Sequence, residues 1–108
     1  MSDLILTTHE ASECTVITVA GELDLASRPA LEDATCRAMA AGSSLRLDMS
    51  GVTFMDSSGL NFLLILRRRL VDGGSRLELT GVREVPMRVL TLTGADEVLL
   101  PSRTEAGG

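Results

Sequence analysis

Two adjacent hydroxyls and a carboxylate stand where an apolar run begins, in Met55-Asp56-Ser57-Ser58-Gly59-Leu60. If that run is a helix, its first turn exposes unpaired backbone N–H groups and the positive end of the helix dipole, so oxygen-rich or anionic groups are favoured there. A serine at such an entrance can cap the helix or accept a phosphate. Spacing alone does not choose between these uses, or between Ser57 and Ser58. Nucleophilic catalysis would need a base, yet the sole histidine, His9, falls in a polar connection near the N-terminus, and no G-x-S-x-G elbow is present. Walker and G-x-G-x-x-G loops are also missing. Asp24, Asp48 and Asp56 are scattered, without His or Cys beside them, and read as turn, cap or strand-end residues. Cys14 and Cys36 have neither metal-ligand nor redox-motif spacing. No catalytic residue, metal or cofactor is expected.

The 108 residues suit one domain, and the composition is 44% hydrophobic with only 2% aromatic. Leu, Val, Ile, Met and Ala must therefore build the core, and a site that stacks rings is disfavoured. The formal net charge is -5, and all 10 basic residues are Arg. This balance repels phosphate backbones and anionic lipid, which argues against nucleic-acid and membrane-surface binding. The one basic run, Arg67-Arg68-Arg69, reads as a solvated helix end that complements the dipole. Met1-Ser2-Asp3 lacks the start of a secretory leader and no apolar run is long enough to span a bilayer. Those features, with two isolated cysteines, predict a cytoplasmic protein. A monomer is expected, since no large apolar stripe is evident.

The elements that must hold these groups follow from periodicity. Residues 4–8 and 14–20 are rich in Leu, Ile, Val and Thr and predict an antiparallel hairpin, with His9 in its connection. Gly21-Glu22-Leu23-Asp24 ends the second strand. Ser27 is placed to cap a first helix, Pro29 suits its first turn, Leu31, Ala34 and Ala38 recur at helical spacing, and Ala41-Gly42 closes it. Leu45, Leu47 and Met49 alternate as a third strand, after which Ser50-Gly51 reads as a turn and Val52, Phe54 and Met55 as a return to the core. A second helix is predicted over residues 58–72, stopped by Gly73-Gly74. Residues 76–80 predict a fourth strand. Pro86 opens a last helix with Val89, Leu90 and Leu92 or Thr93 as its apolar stripe, and Gly94 ends it. Val98-Leu99-Leu100 reads as a short edge strand, and residues 101–108 as an unordered tail. Strands alternating with helices imply parallel pairing after the hairpin: one α/β domain over residues 1–100 with a mixed sheet of four or five strands.

Taken together, Gly21-Glu22-Leu23-Asp24, Leu47-Asp48-Met49-Ser50-Gly51-Val52 and Phe54-Met55-Asp56-Ser57-Ser58-Gly59-Leu60 resemble the STAS domain family, specifically the bacterial anti-sigma factor antagonists. The resemblance spans nearly the whole chain and implies a regulatory binding protein without catalytic residues of its own. In that family the serine after the Asp accepts a phosphate, which maps to Ser57. The resemblance implies two partners: an anti-sigma factor with serine kinase activity that adds the phosphate, and a PP2C-type phosphatase that removes it. Asp24, Asp56, Ser57, Ser58, Gly59 and Asn61 are the partner-binding residues it implies. Many relatives place a small residue after Leu60, where this chain has Asn61 and then Phe62, a difference that bears on which partner it fits. The alternative is the same fold as a STAS subunit of a transport ATPase or signalling scaffold, with no phosphate switch.

Overall fold

A computed structural model describes residues 4–100. β1 (Ile5–Glu10) and β2 (Cys14–Leu23) form the antiparallel hairpin, with Ile5 opposite Ala20 and Glu10 opposite Thr15. The chain then passes through α1 (Arg28–Ala40) to β3 (Ser44–Met55), which pairs parallel to β2. It crosses α2 (Ser57–Asp72) to β4 (Leu77–Thr80), parallel to β3, and continues into α3 (Glu84–Thr93) and the short α4 (Asp96–Leu99). The four strands lie in the order β1-β2-β3-β4. Each parallel strand adds on the same side of its predecessor, so crossovers of one hand place α1 and α2 on the same face. There Ile17, Leu47 and Met49 of the sheet join Leu31, Leu63, Leu66, Leu90 and Leu99 in one core. On the other face Arg46 and Glu78 pair across β3 and β4 at 2.9 Å.

The third strand departs most from expectation. Ser50-Gly51 is no turn; β3 runs unbroken through it. From Thr18 to Leu23 β2 takes five steps, while its partner takes seven from Asp48 to Met55, so β3 carries extra residues as bulges. The buried positions record this: Leu45, Leu47 and Met49 are two apart, then Val52 and Met55 follow at three. One bulge is closed by the Asp48 carboxylate, which accepts the Ser50 backbone N–H at 3.0 Å. Gly51 lies so close to β2 that a Cβ there would stand 2.7 Å from the Cβ of Ala20. The second bulge turns Phe54 outward, leaving it 42% exposed rather than in the core.

Other expectations also shift. His9 lies within β1, opposite Val16, because an edge strand can extend through polar residues that face water. Ser27 stands at the N-cap position of α1, but its hydroxyl caps nothing in the helix and turns back to the strand end. In α3 the core-facing residues are Pro86 and Leu90, flanked by the half-buried Met87 and Val89, whereas Leu92 and Thr93 are exposed. Val98-Leu99-Leu100 forms no edge strand: Asp96–Leu99 is a helical turn that drops Leu99 into the core. The predicted tail lies outside the described residues.

The Ser50 hydroxyl and backbone N–H hold the Asp48 carboxyl below its usual range. A carboxylate depressed on folding contributes stability that is complete above the unfolded aspartate pKa and is lost as pH falls through the folded value. Acidification below about pH 4 should therefore destabilise the wild type more than Asp48→Asn, measured as urea midpoints across pH. Parallel pH profiles would remove this role from Asp48.

Candidate functional site

Leu23 and Met55 are register partners at the carboxyl ends of β2 and β3, so the two segments that leave those strands start side by side. The Asp56 backbone N–H donates to the Leu23 carbonyl at 3.2 Å and carries the pairing one residue further. In the first segment the Ser27 hydroxyl, buried, donates to the Glu22 carbonyl at 2.6 Å and accepts the Asp24 N–H at 3.0 Å. The Asp24 carboxylate in return accepts the Ser27 N–H at 3.0 Å. This reciprocal pair closes a tight turn into α1 and leaves Leu25 at its tip, 71% exposed.

In the second segment Asp56 is the N-cap of α2: its backbone is extended and its carboxylate accepts the Gly59 N–H at 3.0 Å. An anionic cap satisfies an orphan donor and meets the positive end of the dipole. Both serines are thereby relieved of capping. Gly59 explains why the turn can be so tight, since a Cβ there would stand 2.8 Å from both the carbonyl oxygen and the Cγ of Leu23. Only a glycine lets this helix start touch the end of β2.

Ser57 is the first helical residue and is exposed; among the described residues no hydrogen bond engages its hydroxyl. Ser58, half-buried, is held from α1: Arg28 Nη1 donates to its carbonyl at 3.3 Å and to its hydroxyl at 3.4 Å. Arg28 is itself fixed by Glu32 at 2.7 Å and lies over the Phe62 ring at 5.5 Å. Asn61, one turn after Ser57, is exposed on the same side of α2.

Comparison with known proteins follows the same lines. The family model described as "Mlab, STAS domain" matches residues 6–101. The chain belongs to the STAS domain family. An anti-sigma-B factor antagonist of Bacillus subtilis is 28% identical to this STAS domain over 92 residues, covering 85% of the chain and 84% of the relative. The corresponding antagonist of Listeria monocytogenes is 31% identical over 84 residues, covering 77% and 74%. The crystal structure of an anti-sigma factor antagonist from Mycobacterium paratuberculosis superposes with a TM-score of 0.80 at 27% identity, covering 89% of this chain and 82% of that one.

The STAS fold brings together the six residues singled out from the sequence, but in different capacities. Ser57 and Asn61 lie open to solvent. Asp24 and Asp56 are half-buried and shape the two turns, Ser58 is tied to Arg28, and Gly59 is buried packing. Sequence reasoning gave no role at this end to Leu25 or to Arg28, whose contact with Ser58 spans 30 positions. Neither left a local signal beyond the helical spacing of Arg28 and Glu32. Arg67, Arg68 and Arg69 lie in the C-terminal part of the same helix and enter no ion pair among the described residues. No described helix is long and apolar enough to cross a membrane.

Substitutions at two positions separate cap from contact. Gly59→Ala should cost about 1–3 kcal/mol through overpacking against Leu23. Asp56→Asn should change stability little, because Asn also caps, whereas Asp56→Ala should cost about 1 kcal/mol. Urea denaturation of the three variants tests the ranking, and a neutral Gly59→Ala would refute the close contact.

Proposed function

We propose that this STAS domain is a cytoplasmic anti-sigma factor antagonist that binds an anti-sigma factor with serine kinase activity, and so frees a sigma factor, when Ser57 carries no phosphate. In this reading the kinase phosphorylates Ser57 and a PP2C-type phosphatase reverses it. The observation that carries the proposal is the division of tasks at the start of α2: Asp56 caps, Gly59 packs, and the exposed Ser57 hydroxyl does neither. The relatives named above, both antagonists of anti-sigma factors, support it.

Charge explains why one phosphate acts as a switch. Phosphoserine adds roughly -1.5 to -2 units and three strong acceptors at neutral pH. Within the domain that group meets a helix N-terminus, which tolerates an anion, so the fold survives modification. A docking surface behaves differently. Exposed Leu25 and Phe54 at this end of the sheet offer apolar contact, and burying them against a partner desolvates the neighbourhood of Ser57 and Asp56. A second negative group there, left unpaired, costs several kcal/mol, on the order of a hundredfold or more in affinity.

Incubation with the candidate kinase and ATP, followed by intact mass, should show one added phosphate in the wild type and none in Ser57→Ala. Ser57→Ala should bind the kinase constitutively, and Ser57→Asp should bind at least about tenfold more weakly, read by calorimetry. Stoichiometric phosphorylation of Ser57→Ala would displace the assignment. Absence of phosphate on the wild type would favour a non-switching STAS subunit of a transport ATPase or scaffold.

A further inference from the structure

Ser58 carries the same hydroxyl as Ser57 one residue on, and both begin the same helix. What separates them in space is Arg28. We propose that Arg28 is a positioning residue that selects the phosphoacceptor: it keeps the Ser58 hydroxyl engaged, so that Ser57 alone is open to phosphoryl transfer. This rests on the phosphoacceptor reading above and deepens it.

The chemistry of the transfer makes engagement matter. The serine oxygen attacks the γ-phosphorus of a nucleoside triphosphate held by the kinase. The new O–P bond forms as the bond to the leaving diphosphate oxygen breaks, the nucleoside diphosphate departs, and the hydroxyl proton passes to a base of the kinase. The attacking oxygen needs a free lone pair and an open line of approach. A guanidinium has only donors, so Arg28 meets Ser58 Oγ by taking one of its two lone pairs at 3.4 Å, and by also holding the Ser58 carbonyl at 3.3 Å it stands across that line of approach. It cannot swing away freely. Its Nε is bound to Glu32 at 2.7 Å, its guanidinium lies over Phe62, and its side chain is only 21% exposed. Nothing comparable touches the Ser57 hydroxyl among the described residues.

Charge alone argues the opposite way. A guanidinium beside a hydroxyl attracts a finished phosphate, so if attraction rather than access decided, Arg28 would steer modification towards Ser58. The two accounts make opposite predictions. Wild type, Arg28→Gln, Arg28→Lys and Glu32→Gln are each incubated with purified anti-sigma kinase and ATP, alone and in a Ser57→Ala background. Fragmentation mass spectrometry then locates the phosphate. Occupancy control predicts that Ser57 carries nearly all of the phosphate in the wild type, with Ser58 modified only at a low background level. Arg28→Gln should raise Ser58 phosphorylation about tenfold, the factor that goes with one hydrogen bond to a charged group. Arg28→Lys should release Ser58 nearly as much, because lysine lacks the planar fork, while Glu32→Gln, which leaves Arg28 in place, should give a smaller rise. Circular dichroism reports that each variant is folded. Ser58 phosphorylation that falls or stays unchanged in both Arg28 variants overturns the proposal while leaving Ser57 as acceptor. Absence of phosphate from both serines of the wild type overturns the acceptor reading, and this inference with it.

Discussion

The contact on which this site depends is the one between Gly59 and Leu23. With no Cβ at residue 59, the first turn of α2 rests directly against the backbone and side chain that end β2. That approach keeps the Asp56 N–H within reach of the Leu23 carbonyl and aims the Asp56 carboxylate back at the Gly59 N–H. Because Leu23 is also the last residue before the Asp24–Ser27 turn, the same contact fixes both segments relative to one another. A methyl group on residue 59 would push the helix start from the strand and loosen every distance that places Ser57.

Around that contact the backbone is shaped by β3. The bulges after Asp48 give the strand extra length over β2, and they rotate its last residues so that Met55 points into the core and Phe54 out of it. The strand end thus supplies an anchor and an exposed apolar side chain within two positions. Arg28 adds a tie from α1 to the start of α2, so the beginnings of the two helices are joined by side-chain hydrogen bonds as well as by the sheet beneath them.

Much of this is legible in the sequence where local rules act without competition. The hairpin, the alternating third and fourth strands and the glycine stops after α1, α2 and α3 match the structure closely, because turn residues and period leave few options. Ser50-Gly51 misleads, since a bulge and a turn use the same small residues and only pairing with β2 distinguishes them. Val98-Leu99-Leu100 is too short for its period to separate strand from helix. Residues 56–58 are ambiguous in sequence for another reason: Asp and Ser are equally good caps, and the contact of Gly59 with Leu23 decides which one faces the helix. The part played by Arg28 leaves no local signature, because it is defined by Ser58 on another helix.

The strand order β1-β2-β3-β4 has one more consequence. In open sheets that bind small molecules between strand ends, the crevice forms where the order of strands reverses and successive helices part to opposite faces. This sheet never reverses, so α1 and α2 follow the same side and their starting turns close over the carboxyl ends of β2 and β3. A sheet wound in one direction has no reversal point of that kind between β2 and β3. What these strand ends present instead is a pair of helix starts set side by side and tied together through Arg28.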